Sequence, residues 1–221
     1  MVEGELCVAI PTMRPKRIRR LVDNLVARTP IFPKIVIISH LPEVFEQTAD
    51  QNVTTWDDGP EVHSFGHRIN AMFERTTEPY FFMGADDVWF QPRWYEVARS
   101  YMDSIPGGGV VAVNDLWNGS GTLALIARSY IEECDGTMDG TGPVIHRGFA
   151  HSFSETELFD TAKARGRFAY ARESIVEHVH PYAGKSEWDD VYTLGYSTSA
   201  QDEALFKSRQ HLWLSPAQPV G

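Results

Sequence analysis

The sequence predicts an α/β fold in which a mostly parallel central sheet is covered by helices on both faces. Short apolar segments alternate with amphipathic segments of helical period through the first half of the chain, as is typical of strand–helix–strand units. A length of 221 residues suits one domain, and a hydrophobic content of 43% allows a sizeable core. We therefore expect residues 1–221 to form a single domain.

The first half of the chain contains most of the predicted elements. Residues 6–10 form an apolar run typical of a buried strand, and Pro15 suits the first turn of the helix that follows. The apolar face of that helix consists of Ile18, Leu21, Val22, Leu25 and Val26. The other strands of this half are predicted at 34–39, 52–56 (with a weaker pattern), 80–84, 110–113 and 122–126. Helices are predicted at 65–76 and from Pro92 onward.

The second half has a different pattern. A glycine-rich loop covers 136–142, and a helix is predicted to begin at Ser154, because Ser154 and Glu157 have the spacing of a capping box. Residues 174–180 are predicted to form a strand. That strand would place His178 and His180 on one face, because side chains alternate along a strand. A last helix is predicted between 199 and 213, followed by a loose end.

Composition excludes several classes of protein. The net charge of −10 disfavours general binding to nucleic acid or to anionic membranes. The N-terminus lacks the apolar region of a signal peptide, and no apolar stretch reaches the roughly 18 residues that span a bilayer. Two cysteines, Cys7 and Cys134, are too few for a disulfide framework. We expect a soluble, cytoplasmic protein with no membrane span and no nucleic-acid partner.

Five cations lie at the start of the first predicted helix: Arg14, Lys16, Arg17, Arg19 and Arg20. Cations at this end oppose the helix dipole, so the arrangement is locally unfavourable. The cluster indicates either a solvated basic face or an anion site, because strand-end loops and helix N-termini of α/β proteins hold phosphates. The segment has neither G-x-G-x-x-G nor a P-loop motif, which argues against a Rossmann dinucleotide site and a P-loop NTPase.

Two carboxylates and two histidines are candidates for metal chemistry. Asp86 and Asp87 end an apolar strand, where side-by-side charges would raise one pKa unless a divalent cation relieved the repulsion. The alternative is a solvated turn, in which aspartate is common. His178 and His180 could share a metal or could be ordinary strand residues, and no Cys cluster or H-E-x-x-H motif supplies a zinc site.

Further polar residues could line a pocket. Glu155 and Glu157 lie about 200° apart around a helix axis, so both cannot face the same pocket. Glu157 has a structural role available in the capping box, which makes Glu155 the better candidate for a general base. The remaining candidates are Trp56, Asp57, Asp58 and Arg68, although Asp58-Gly59 is also a turn signal.

Taken in order, these segments resemble a GT-A glycosyltransferase, close to glycosyltransferase family two. IPTMRP at 10–15 resembles the family's first strand and nucleotide loop, and the segment 66–88 resembles its helix and the strand that leads to the D-x-D metal motif. ETEL at 155–158 lies where the family has its catalytic acidic motif. The stretch 177–192 resembles a small branch, partly encoded by bacteriophages, with a histidine near the metal. The resemblance covers roughly residues 5–195.

The resemblance implies a Rossmann-like GT-A fold, a nucleotide-diphosphate sugar donor and a Mn²⁺ or Mg²⁺ cofactor. It also implies that residues 1–115 bind the donor, that 116–195 bind the acceptor and carry catalysis, and that 196–221 form a C-terminal helix and tail. The donor-binding residues would be Pro11, Thr12, Arg14, Asp57, Arg68, Asn70 and Asp86. The metal ligands would be Asp86, Asp87, His178 and His180, with Glu155 as the catalytic base of an inverting reaction. The sequence departs from D-x-D at Gly84, where the first aspartate would stand.

Three other functions stay open. A sugar nucleotidyltransferase also needs a metal, but IPTMRP lacks the glycines of its usual phosphate loop. A metal-dependent hydrolase could use the same aspartates and histidines. A non-catalytic carbohydrate-binding domain could use the six Trp and eight Tyr for stacking on sugars. The acceptor stays open among protein, glycan, lipid and small molecule.

Overall fold

The computed structural model of the chain describes residues 4–59 and 64–214. Its strands are β1 Leu6–Pro11, β2 Lys34–Ser39, β3 Thr54–Asp57, β4 Tyr80–Met83, β5 Val88–Phe90, β6 Val110–Asn114, β7 Ala124–Ala127 and β8 Phe168–His178. Its helices are α1 Pro15–Arg28, α2 Pro42–Thr48, α3 Phe65–Glu74, α4 Trp94–Asp103, α5 Arg128–Cys134, α6 Ser154–Ala164, α7 Asp190–Tyr196, α8 Ser199–Arg209 and α9 His211–Leu214, with a 3-10 helix at Pro181–Ala183. None of the helices in these ranges has both the length and the apolar character to cross a bilayer.

One sheet, with the order β3-β2-β1-β4-β7-β6-β8-β5, runs through the molecule. Strands β1 to β4, β6 and β8 point one way, whereas β7 and β5 run antiparallel to their neighbours. The prediction of a mostly parallel sheet is therefore confirmed. Ala9 of β1 pairs with Met83 of β4, so Thr12 and Asp86, each three residues further on, emerge at the same edge.

The burial of the central strands explains why their apolar runs could be recognised in the sequence. β1 and β2 are almost completely buried, as expected for parallel strands covered on both faces. Cys7 is a core residue, and burial raises the pKa of its thiol to about 12. On α1, the predicted apolar face is buried except at Val26, which is 50% exposed.

The predicted elements of the first half are present. Within the described residues, the elements that were not predicted are α2, β5, α5, α7 and the 3-10 helix. α4 begins at Trp94 and not at Pro92, because Arg93 immediately before it has a left-handed backbone (φ 66°). β8 is longer than predicted at its start and ends at His178, so His180 is not a strand residue but precedes the 3-10 helix. The loose end beyond 214 lies outside the described residues.

The predicted capping box at the start of α6 is wrong. Phe153, not Ser154, occupies the N-cap, and the Ser154 hydroxyl donates to the backbone carbonyl of His151 at 2.9 Å. Glu157 accepts hydrogen bonds from the Arg209 guanidinium at 2.8–3.1 Å. The Glu157 carboxylate therefore forms an ion pair with Arg209 of α8 and does not cap α6 in the way that the sequence pattern had predicted.

Candidate active site

A cleft of about 920 Å³ opens at the carboxyl ends of β1, β4 and β8. Ligand sites of open α/β sheets commonly lie at this edge. The cleft brings together these predicted site residues: Pro11, Thr12, Arg14, Arg68, Asp86, Asp87, Glu155, His178 and His180. The structure does not bring Asp57 and Asn70 to it.

Asp86 is buried at the base of the cleft and is bonded through both carboxylate oxygens. Oδ1 accepts from Arg14 Nη1 at 2.5 Å, and Oδ2 accepts from the Thr12 hydroxyl at 2.8 Å and the Met13 backbone N–H at 3.2 Å. Burial raises the pKa of Asp86, and the Arg14 charge acts in the opposite direction. Asp86 thus ties the loop after β1 to the loop after β4.

Arg14 connects this carboxylate to the C-terminal part of the chain. Its Nε and Nη2 donate to the two carboxylate oxygens of Asp189 at 2.8 and 3.0 Å, and its guanidinium lies 4.0 Å from the centre of the Tyr192 ring. By contrast, Lys16 and Arg19 are exposed, and Arg19 pairs with Asp50 on the surface. The solvated-face interpretation therefore holds for Lys16 and Arg19, whereas Arg14 faces the cleft, where anion binding stays a prediction.

Asp87 forms a second buried pair, with His178. His178 Nε2 lies 3.2 Å from Asp87 Oδ1, and the Tyr192 hydroxyl donates to Oδ2 at 2.9 Å. Burial alone would raise the pKa of Asp87, but the hydrogen bond and charge of His178 hold it below its usual range. Burial likewise tends to lower the pKa of His178, and Asp87 raises it overall. Each partner of the pair therefore favours the charged form of the other.

A polar chain supports the other ring nitrogen of His178. Its Nδ1 lies 3.2 Å from the Thr122 hydroxyl, and that hydroxyl donates to Asp115 at 3.1 Å. Because the hydroxyl proton goes to Asp115, Nδ1 carries the proton in the contact with Thr122. Asp115 is fully buried, and its other oxygen accepts from backbone N–H groups. This chain fixes the ring orientation of His178.

His180 has a different environment. Its Nδ1 accepts the Tyr182 backbone N–H at 3.1 Å, and its ring stacks on Trp117 with centroids 5.0 Å apart and planes 7° from parallel. Burial lowers the pKa of His180 to about 4, and the neighbouring His178 charge adds to that effect. His180 is therefore a neutral imidazole at pH 7, with its proton on Nε2.

Glu155 and Glu157 face different sides of α6, as predicted. Glu155 is half-buried in the cleft, and loss of hydration raises the pKa of its carboxyl. Its carboxylate accepts a hydrogen bond from the Ser154 hydroxyl at 3.3 Å. Glu157 is buried on the other side, against Arg209, which also bonds both oxygens of Asp139 at 2.9 Å.

The predicted donor residue Asp57 lies outside the cleft. It is the exposed last residue of β3, and its carboxylate accepts the Gly59 backbone N–H at 2.8 Å in a turn. The side chain of the neighbouring Asp58 is 4% exposed and accepts from Arg68 Nε at 2.5 Å. Arg68 Nη2 also lies 3.1 Å from His40 Nδ1. Asp58 therefore provides the acidic partner for the Arg68 side of the cleft.

Asn70 was also predicted to bind the donor, but its amide is used within the protein. The side-chain oxygen accepts the backbone N–H groups of Val144 and Ile145 at 3.2 and 3.0 Å, and the amide nitrogen donates to the Ile145 carbonyl at 2.7 Å. The side chain is buried against that loop. Asn70 therefore fixes the end of the glycine-rich loop to α3.

Sequence reasoning missed the role of α7. Asp189 caps this helix by accepting the Tyr192 backbone N–H at 2.9 Å, and it also binds Arg14 across the cleft. Tyr196 of the same helix lies 3.4 Å from His180 Nε2 through its hydroxyl. Asp189 before an apolar segment is a recognisable N-cap signal, but its ion pair with Arg14, 175 residues away in sequence, could not be predicted.

Within the described residues, no group of three or more His, Cys, Asp or Glu side chains is arranged to hold a metal ion. The nearest approach to such a group is Asp87 with His178, and the rings of His178 and His180 have centroids 5.1 Å apart.

Comparisons with known proteins find similarity in structure. No protein-family model and no curated protein sequence matches the chain. The mannosyltransferase PcManGT from Pyrobaculum calidifontis, in complex with GDP-Man and Mn²⁺, has a TM-score of 0.65 at 11% identity over 96% of this chain and 70% of that one. Glucosyl-3-phosphoglycerate synthase from Mycobacterium tuberculosis, in complex with Mn²⁺, UDP and phosphoglyceric acid, has a TM-score of 0.67 at 10% identity over 99% and 82%.

A third similar structure is the catalytic domain of Drosophila beta1,4galactosyltransferase 7 in complex with xylobiose, with a TM-score of 0.58 at 12% identity over 93% of this chain and 80% of that one. These three structures hold different ligands, and each is similar in fold to this chain. The chain therefore has the fold of these glycosyltransferases, the GT-A fold, as the resemblance in its sequence implied.

Proposed function

We propose that the protein is a glycosyltransferase that moves a sugar from a nucleoside-diphosphate sugar to an acceptor hydroxyl, with a divalent cation and with inversion at the anomeric carbon. The observation that carries this proposal is the composition of the cleft. A carboxylate–histidine pair, a buried arginine and a carboxyl with raised pKa meet at the carboxyl edge of a GT-A sheet. These groups suit glycosyl transfer, because the first two can stabilise the leaving diphosphate and the third can take the acceptor proton.

Asp87 and His178 are the residues that fit a divalent cation. Two neighbouring ligands of an octahedral ion at about 2.1 Å lie about 3 Å apart, and Asp87 Oδ1 and His178 Nε2 are 3.2 Å apart. The proton on His178 Nδ1 faces Thr122, so loss of the Nε2 proton would free that nitrogen for a metal while its orientation is kept. Mg²⁺ sites commonly use one or two protein ligands and complete the shell with substrate phosphates and water.

His180 and Asp86 fit a metal less well than these two residues. The Nδ1 of His180 accepts a backbone N–H, so Nε2 must carry the proton and cannot coordinate without a change of tautomer. Asp86 has both oxygens bonded to Arg14, Thr12 and Met13. We assign Asp86 to holding Arg14 and the β1 loop against the donor, together with Pro11, and His180 to supporting the cleft wall.

The catalytic role falls to Glu155. When bound, the cation stabilises the negative charge that develops on the leaving diphosphate. The acceptor oxygen attacks the anomeric carbon, the bond from that carbon to the diphosphate oxygen breaks, and the hydroxyl proton passes to Glu155. Burial brings the pKa of Glu155 closer to working pH, which suits a general base. Arg14 supplies fixed positive charge beside the metal pair, and Arg68 with Asp58 is available to the nucleoside.

The products of donor turnover test this proposal. The protein is incubated with UDP- and GDP-sugars, with Mn²⁺ or with EDTA, and the phosphorus products are separated by ion-exchange chromatography. We expect release of nucleoside diphosphate that depends on Mn²⁺. Release of pyrophosphate would instead support a nucleotidyltransferase, and binding of donor without any turnover would support a non-catalytic domain.

A further inference from the structure

A set of aromatic side chains leads from the cleft to the molecular surface, and we call it the aromatic platform: Trp117, His180, Tyr182 and Trp188. Trp117 stacks on His180, and Tyr182 continues the stack at 17° to the Trp117 plane and 24° to the His180 plane. Trp188 meets Tyr182 edge to face with centroids 5.0 Å apart. The inner members line the cleft, and the outer members lie beyond it.

The outer rings of the platform are exposed to solvent. Trp117 is 38% exposed, Trp188 is 49% exposed and Tyr182 is 60% exposed. Large aromatic side chains can bury 150–250 Å² each, so a contiguous group left in water indicates a binding surface. The core does not use these outer faces, because the rings of Tyr182 and Trp188 contact one another and α7 at the rim.

The platform lies on the side of the cleft away from the Arg68–Asp58 pair. Asp58 follows β3 and is bonded to the end of β2, on one side of the central strand β4. Trp117 follows β6 and His180 follows β8, on the other side of β4. Glu155 lines the same cleft as Trp117 and His180. A molecule on the platform and a nucleoside at Arg68 would therefore lie on opposite sides of β4, in a cleft that Glu155 also lines.

The charge around the platform argues against an anionic ligand. The segment 181–200 contains one lysine and three acidic residues. Two cations from the start of α1 contact its inner side, where Arg14 is paired with Asp86 and Asp189 and Arg17 donates to the Tyr192 hydroxyl. Lys185 is paired with Glu177 at 2.9 Å, whereas Glu187 and Asp190 are exposed on either side of Trp188. These acids would repel a phosphorylated or carboxylated ligand. The face of an aromatic ring carries partial negative charge, which suits the weakly positive C–H groups on one face of a sugar ring.

We propose that the aromatic platform is the acceptor subsite and that the acceptor is a neutral glycan. One sugar ring stacks on the exposed faces of Trp188 and Tyr182, and the neighbouring sugar extends past Trp117, so that its hydroxyl reaches Glu155. This proposal rests on the proposed function, because it takes the bound sugar to be the nucleophile. It names the substrate class that the sequence left open.

Saturation-transfer NMR with a panel of neutral disaccharides (xylobiose, cellobiose, lactose, maltose and mannobiose) tests the platform directly. We expect at least one disaccharide to bind through its ring C–H protons. Trp188→Ala should weaken that binding about tenfold, the scale of a lost aromatic contact. Trp188→Phe, which keeps a ring, should retain most of it. Phe32→Ala is the matched control, because Phe32 is 54% exposed but precedes the amino end of β2, at the edge of the sheet opposite the cleft.

Calorimetry of UDP and GDP with Mn²⁺ on the same variants separates this proposal from the proposed function. If nucleoside diphosphate binds but no disaccharide does, the platform proposal fails and the proposed function stands. If Trp188→Ala, with an unchanged melting temperature, weakens nucleoside diphosphate as much as disaccharide, the platform holds the base and the proposal is overturned. If disaccharides bind in the expected pattern while no nucleotide binds, the platform is a glycan site and the proposed function fails.

Discussion

Replacing Glu157 by glutamine removes a buried charge from the contact that joins α6 to α8. Glu157 is 1% exposed, and Arg209 donates to both of its oxygens. Removing one partner of a buried ion pair commonly costs about 3–5 kcal/mol. Two features reduce that cost here, since glutamine still accepts one hydrogen bond and Asp139 still faces the guanidinium at 2.9 Å. We expect a loss of about 2–3 kcal/mol in the free energy of unfolding.

For a domain of this size, each kcal/mol corresponds to about 2–4 °C in Tm, so the expected decrease is roughly 5–10 °C. Differential scanning calorimetry measures it, and Asp160→Asn is a matched control because Asp160 on the same helix has only a partly exposed pair with Lys163. Donor turnover at 20 °C should fall little. A Tm within 1 °C of the wild type would refute the ion-pair account and would return Glu157 to the small capping role that its sequence position suggested.

Three further predictions concern the cleft. Asp87→Asn should reduce the Mn²⁺-dependent affinity for nucleoside diphosphate at least tenfold in calorimetry, whereas Asp50→Asn, which removes a surface charge, should not. If the two variants bind nucleoside diphosphate equally well, Asp87 is not a metal ligand. Arg14→Ala should weaken donor binding more than Arg19→Ala, because of these two side chains Arg14 is the one buried at the strand ends. If neither variant weakens donor binding appreciably, the whole basic cluster is a solvated face. The rate of transfer should fall as the pH falls through the raised pKa of Glu155, because a general base must be ionised; a pH profile that is flat down to the ordinary glutamate range would contradict this role.

The elements that could be predicted from the sequence are those that depend on neighbouring residues. The apolar run at β1, the Pro15 start of α1 and the two aspartates after β4 each follow from neighbouring residues. Parallel pairing then brings the ends of β1 and β4 together, so the meeting of Thr12 with Asp86 was implied once the order of strands was assumed.

One of the elements that were missed, α7, depends on distant partners. α7 has seven residues and is held over the cleft by Asp189 on Arg14 and Tyr192 on Asp87, and neither contact has a signal in the local sequence. The sequence did not show whether Asp57 or Asp58 would face the cleft. Neighbouring residues at a strand end point to opposite faces, so an error of one residue exchanges the exposed and the buried aspartate.

Side chains with two possible uses could not be assigned without the fold. Asn70 lies on the buried face of α3, and a helical pattern does not say whether that face meets a ligand or the 144–145 loop. Glu157 had a plausible local role, but Arg209 is 52 residues away in sequence. His178 and His180 were equivalent by spacing. They differ in the fold because Asp87 and Thr122 contact the His178 ring, whereas Trp117 stacks on the His180 ring and the Tyr182 backbone N–H occupies its Nδ1.

The transfer rate of Glu155→Gln, compared with its donor affinity, is the most direct measurement of the account. Burial makes the ionised carboxylate unfavourable in the folded chain at pH 7, so glutamine should leave Tm unchanged or slightly raised. We predict unchanged affinity for nucleoside diphosphate with Mn²⁺, and transfer that is slower by roughly 10²-fold or more, the usual scale for a lost general base. Transfer at the wild-type rate by this folded variant would contradict the assignment of Glu155 as the base.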